Sequence, residues 1–243
     1  MTPAWAIDHT PWDKLLQTYV TPHEDGVNRF DYAAVTTADR AALDQYIAYL
    51  AAQTPSQKTD VETHSFYINL YNALTVQVIL DNWPVSSIRE IRNGFFSIGP
   101  WAKPRVMVEG EELSLDNIEH DILRPAMNDP RVHYAVNCAS WGCPNLASRA
   151  YTPEWLDEML DEAARTFINH KRGVRVDKYG RVHTSSIFKW YIEDFGNSDK
   201  GVIAHAQQYA APELAKALAG KTKIDKHSYD WTINAVGKNE GDW

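Results

Sequence analysis

The sequence predicts an α+β domain, mostly helical, with short β-hairpins and one strand leading into a cysteine-containing turn. Three observations carry that prediction. Residues 62–82 are apolar on nearly every side, as a central, buried helix must be. Two short apolar stretches each double back around a glycine, Gly110 and Gly180, as hairpins do. The alternating segment 131–137 stops at Cys138-Ala139-Ser140-Trp141-Gly142-Cys143-Pro144, where Gly and Pro force a turn. A chain of 243 residues, 44% hydrophobic and 23% charged, has the length and composition of one domain with a substantial core.

Each element follows from local signals. Residues 12–19 read as a short helix. Residues 40–52 read as an amphipathic one, with Leu43, Tyr46, Ile47 and Leu50 at helical spacing. The 62–82 helix comes next, and Pro84 stands where a stop is expected. Asn69 and Asn72 lie three apart on one of its faces. A buried amide without a partner costs about 1–3 kcal/mol, so the pair either fastens a neighbouring loop or meets a ligand. The first hairpin joins 105–108 to 112–114 through Glu109-Gly110-Glu111. Ser114 caps a helix over 116–124 that Pro125 ends. Its apolar stripe of Leu115, Ile118, Ile122 and Leu123 includes Glu119, with His120 one position round. A carboxylate on such a stripe needs a partner or a raised pKa.

On the 131–137 strand, Val132, Tyr134 and Val136 take one face and His133 the other. Thr152 and Pro153 then open a helix that Gly173 ends, with Trp155, Leu156, Met159, Leu160, Ala163 and Phe167 toward the core. A second hairpin turns at Lys178-Tyr179-Gly180. Ser186 opens a short aromatic helix with Phe188, Trp190 and Tyr191, and two helices broken near Pro212 lead to Tyr229-Asp230-Trp231-Thr232-Ile233-Asn234.

Charge and motifs exclude several functions. With 24 Lys plus Arg against 32 Asp plus Glu, the net charge is −8, which disfavours nucleic acid and anionic lipid as partners. No apolar stretch approaches the roughly 18 residues of a membrane span, so no membrane insertion is expected. Met1-Thr2-Pro3-Ala4-Trp5 lacks the features of a signal peptide. The nucleotide-binding glycine loops, the H-E-x-x-H zinc motif, the G-x-S-x-G elbow and the C-x-x-C redox motif are all missing. Nine Trp and twelve Tyr point to a core or cleft lined by rings.

What remains is Cys138 at the junction of strand and turn. Backbone N–H groups converging there would lower its pKa and form an oxyanion hole. A thiolate also needs a base, and Glu119 and His120 on the preceding helix could fold back within reach. His133 is five residues upstream on an extended segment, about 16 Å away at about 3.3 Å per residue and on the opposite face. Glu119, His120 and Cys138 are a weak metal site, because adjacent helix positions diverge, and no cofactor is expected. Free Cys is among the most buried residue types, and Cys138 and Cys143 could equally close a small disulfide loop.

The residues also resemble a known family. Phe66-Tyr67-Ile68-Asn69-Leu70-Tyr71-Asn72-Ala73-Leu74, Ile118-Glu119-His120-Asp121-Ile122-Leu123-Arg124 and Asp129-Pro130-Arg131-Val132-His133-Tyr134-Ala135-Val136-Asn137-Cys138 are similar to motifs of domain-of-unknown-function family number 547. Ser140 to Leu146, Ser186 through Tyr191 with Asp194-Phe195, and Tyr229-Asp230-Trp231 fit as well. The likeness runs over about 60–234, leaving 1–59 as an N-terminal helical extension of one domain, 1–243. It carries no function. It implies a bacterial member, of a kind often exported to the periplasm, with its leader absent from this sequence; the alternative is a cytoplasmic protein. Ala139 stands where the family commonly has Gly. The motif residues Asn69, Asn72, Glu119, Arg124, His133 and Cys138 are polar groups in apolar surroundings.

The leading expectation is a cysteine-dependent hydrolase or acyl transferase acting on a peptide or amide. Cys138 is its nucleophile, His120 or a more distant His its base, and Glu119 the orienting group. Asn69, Asn72, Arg124, His133 and Ser140 would support the site or hold substrate. Papain and transglutaminase offer an analogy for such an arrangement. The alternative is a non-enzymatic module binding a peptide, glycan or envelope component, in which those polar residues form a buried network that fixes the fold. Oligomeric state and the identity of the substrate are open.

Overall fold

The computed structural model describes residues 6–92 and 99–238; the terminal run read above for leader signals lies outside them. Two helices, α1 (Thr10–Tyr19) and α2 (Thr37–Ala51), flank a two-residue ladder of β1 (Val20–Thr21) with β2 (Arg29–Phe30). They pack on α3 (Asp60–Asp81), the 22-residue helix expected at 62–82. Glu62 accepts from both the backbone and the hydroxyl of Thr59, which fixes the first turn of α3. Its Phe66, Ile68, Leu70, Ala73, Leu74, Val78 and Ile79 are fully buried, so this helix is the axis of the larger apolar cluster.

The first hairpin pairs β3 (Val106–Val108) with β4 (Glu111–Leu113). Its turn is the two residues Glu109 and Gly110, both at positive φ, so Glu111 belongs to the strand. The next helix departs from expectation. Residues Asn117–Leu123 form a π-helix, which runs on into α4 (Arg124–Met127). Pro125 therefore does not end it: the helix stops at Asn128, in the left-handed region. The Arg124 N–H reaches back to the Glu119 carbonyl, five residues away. Ser114 and Asn117 exchange hydrogen bonds at the start of this element.

The expected strand at 131–137 is a helix instead, α5 (Val132–Ala135). Asp129 accepts from Arg131 N–H through its side chain and from Val132 N–H through its carbonyl, and Pro130 pre-sets the first helical φ. That start signal overrides the short alternation. Val132, Ala135 and Val136 then share one face and join the larger cluster, while Tyr134 turns into a second one.

The second cluster is built by α6 (Leu156–Ile168), α7 (Ile187–Trp190), α8 (Asp199–Tyr209), α9 (Pro212–Leu218) and a three-stranded sheet. In that sheet β5 (Val174–Val176) pairs antiparallel with β6 (Val182–Ser185), and β7 (Lys226–Ser228), unforeseen in the sequence, adds in parallel. The helix α6 begins at Leu156 rather than at Pro153. Thr152 Oγ1 has no partner, and Trp155 is 43% exposed at the N-cap beneath Arg149, so neither caps nor buries as expected. No helix among the described residues is long and apolar enough to cross a membrane. The segment 131–144 lies at the seam of the two clusters.

Candidate functional site

The cysteine loop is held from behind by a segment 90 residues later. Trp141 and Gly142 N–H donate to the Thr232 and Asp230 carbonyls, and Asn234 N–H donates to the Ala139 carbonyl. Gly142 is required there, because a Cβ would come within 2.8 Å of the Asp230 nitrogen. From the other side, Asn137 donates to the Pro144 carbonyl and accepts from Ala139 N–H. Ala139 is thereby turned into the left-handed region, φ 59°. These bonds engage the Ala139, Trp141 and Gly142 amides, and Cys143 N–H bonds to Ser140 carbonyl. The expected cluster of free backbone donors for an oxyanion is therefore not formed.

Side chains, together with the Ser140 backbone N–H, do that work at the sulfur. Cys138 Sγ lies 3.0 Å from the Tyr229 hydroxyl, 3.1 Å from Ser140 Oγ and 3.1 Å from Cys143 Sγ. The two hydroxyls also meet each other at 2.8 Å. Both cysteines are free thiols, Cys143 buried and Cys138 half-buried. The Cys138 pKa is lowered to about 7 by the Cys143 contact first, then, against the cost of burial, by Ser140 and Tyr229. Burial and the neighbouring sulfur push Cys143 far up, so Cys138 ionises and Cys143 keeps its proton. Tyr229 is likewise held protonated, by burial above all.

The thiol opens on a cavity of about 250 Å³. Trp101, Trp190, Trp231 and Tyr191 wall it, and Asp116, Glu119, His120 and His133 supply its polar lining. The π-helix explains how Glu119 and His120, adjacent in sequence, both reach it: its wider turn makes consecutive side chains diverge less than in an α-helix. His120 Nε2 lies 3.9 Å from Asp116, and its Nδ1 is buried without a partner. His133, 2% exposed, stacks on Tyr191 at 4.1 Å and bonds Asp194 through Nε2 at 2.7 Å. Arg124 grips the same carboxylate through Nε and Nη2, at 2.7 and 3.0 Å. With His133 the larger cause and Arg124 the other, the Asp194 carboxyl stays well below the usual range.

The structure thus brings Cys138, Glu119, His120 and His133 to one cavity, with Ser140 buried against the sulfur and outside the lining. The separation drawn between His133 and Cys138 rested on an extended chain; the helical turn of α5 removes it, and both line the same space. No histidine, however, bonds Cys138, whose polar partners are Cys143, Ser140 and Tyr229. Asn69 and Asn72 lie outside the cavity. Asn69 exchanges hydrogen bonds with the Tyr151 backbone, and Asn72 bonds the Ala135 carbonyl and Asn137 N–H. Both fasten loops. Arg124 is engaged with Asp194 through Nε and Nη2. Sequence reasoning assigned no role to Tyr229, Asp194, Tyr191 or Trp231. Their one signal was membership of the late motifs, where five aromatic residues crowd around 188–191 and 229–231. Among the described residues no group of three or more His, Cys, Asp or Glu could hold a metal ion.

Compared with curated proteins and with solved structures, the chain has no match. The late segments carrying Tyr191, Asp194 and Tyr229 lie beyond the stretch that a family model matches. That stretch, residues 55–168, supplies α3, the π-helix, α5 and both cysteines, and it matches the family model described as "Protein of unknown function, DUF547".

Proposed function

We propose that this cleft is the active site of a cysteine-dependent hydrolase or acyl transferase acting on an amide. One observation carries the reading: a thiol stabilised as thiolate by side-chain donors opens into a walled cavity that also holds two histidines. The Cys138 thiolate adds to the substrate carbonyl carbon, and the carbonyl electron pair moves to oxygen. On collapse the C–N bond breaks, and the leaving amine takes a proton from an imidazolium, with His120 the candidate nearest the open side; the imidazole left behind then takes the proton of the incoming nucleophile. Water or a second amine then attacks the thioester and releases Cys138. With its pKa near neutral, the thiol requires no base in hydrogen-bond contact to become nucleophilic.

A model acyl donor tests this. p-Nitrophenyl acetate should leave an acetyl group on Cys138, seen by peptide mass spectrometry, and Cys138→Ser should abolish both adduct and turnover. An unacylated Cys138 would sink the reading. A second reading, a ligand-binding module, is favoured by the lack of any histidine bonded to the sulfur. It predicts saturable ligand binding that survives Cys138→Ser.

A further inference from the structure

The inner half of the cleft is rich in acceptors, of which Glu119 has the Tyr191 hydroxyl as a donor. Asp194, gripped by Arg124, is an ionised acceptor, so the proton shared with His133 sits on Nε2. His133 Nδ1 is buried and without a hydrogen-bond partner. Glu119 Oε1 stands 4.0 Å from it, a second acceptor on a residue 8% exposed. An N–H donor placed between them would satisfy the Glu119 carboxylate and the Nδ1 of a neutral His133 ring together. Asp116, half-buried, adds a third acceptor on the same side. No Lys or Arg lines the cavity among the described residues.

The opposite wall suits the same ligand. Trp231 lies 5.5 Å from Trp190 and 5.7 Å from Trp101, the latter pair at 67°, so the rings make a corner. Such rings attract a cation through their faces and an alkyl stem through their area. The fold already uses one of them in this way: the Arg89 guanidinium sits 5.2 Å over Trp231.

We propose that this inner cleft is a subsite for an organic ammonium group, a primary amine on a short apolar stem. Its N–H donors lie between Glu119 and His133 Nδ1, near Asp116, and its stem lies against Trp101, Trp190 and Trp231. A volume of about 250 Å³ admits an amine with a few carbons or one ring. The inference deepens the acyl-transfer reading, on which only the amine's place beside the scissile bond rests: the substrate would be an amide bearing a free amine near its carbonyl.

Three probes of one shape and different charge decide it: phenethylammonium, phenylacetamide and phenylacetate, titrated at neutral pH and fixed salt against the protein's tryptophan fluorescence. Phenethylammonium should bind saturably and about tenfold or more tighter than the neutral amide, with the anion weakest, as expected for a desolvated cation site. Glu119→Gln and, separately, Asp116→Asn should each shrink that ratio toward one. The wild-type ratio stands by itself where a variant fails to fold. Equal binding of amine and amide overturns the subsite, and tighter binding of the anion shows that His133 carries two protons. The same titration on Cys138→Ser separates the two proposals. A retained amine preference with an unreactive wild-type thiol would sink the acyl-transfer reading alone, and a reactive thiol without the preference would sink the subsite alone.

Discussion

At Cys138 burial and hydrogen bonding oppose each other. Taking a thiolate out of water raises its pKa, while each donor aimed at the sulfur lowers it, and here the donors win. Removing a donor destabilises only the charged form, so Tyr229→Phe and Ser140→Ala should each raise the pKa of iodoacetamide labelling by about one unit. Because the two hydroxyls also bond each other, the double variant should rise by less than the sum. A labelling profile that neither substitution moves would show that the hydroxyls do not face the ionised sulfur. Next to it, Ala139 holds φ 59° with its methyl group buried. A left-handed alanine costs about 1–2 kcal/mol, and glycine returns about 0.4–1 kcal/mol of that to the unfolded chain. Ala139→Gly should therefore stabilise the protein by up to about 1 kcal/mol in urea unfolding. A loss of stability would mean that the methyl contact outweighs the backbone strain.

Between elements, Asn72 does what the cysteine loop needs and no apolar residue could. From α3 it satisfies the Ala135 carbonyl and the Asn137 N–H, the two backbone groups where α5 ends and the loop begins. Asn72→Leu strands both, at about 1–3 kcal/mol each, so urea unfolding should show a loss of about 2–5 kcal/mol. A loss under about 1 kcal/mol would mean that water replaces the amide. The presence of a polar pair on a buried helix was legible in the sequence, and so was its fastening role, since a helix apolar all round leaves an amide no solvent. The hairpin turns were legible too, because Glu109-Gly110 suits a turn with φ positive at both positions. The 131–137 segment was misread because one helical turn is too short to display a 3.6-residue period, whereas three alternating apolar residues imitate a strand. The Asp129-Pro130 start signal was present and outranks that alternation. The pairing of the cysteine loop with 230–234, and of His133 with Asp194 61 residues away, had no local trace, since both are set by tertiary packing.

Across the whole molecule, each apolar cluster carries one buried neutral histidine. His9 bonds the Tyr46 hydroxyl beside the larger cluster, and His205 bonds Tyr134 in the second. Burial lowers both pKa values to about 4. The unfolded chain binds these protons near pH 6.5, so between about pH 6.5 and 4 it holds protons that the folded chain refuses. The stability from this source is fully present above about pH 6.5 and is lost as pH falls through about 4, with a slope of up to about 1.4 kcal/mol per pH unit for each histidine. Urea unfolding across that window should show the combined slope, and His9→Gln or His205→Gln should each remove about half of it. A flat profile would mean that the rings are protonated in place. The same variants report on organisation. If 1–243 folds as one unit, as we propose, both substitutions shift a single transition. If the clusters unfold independently, His9→Gln alters one transition and His205→Gln the other, and the α5 segment shared between the clusters would then be the place where cooperativity breaks.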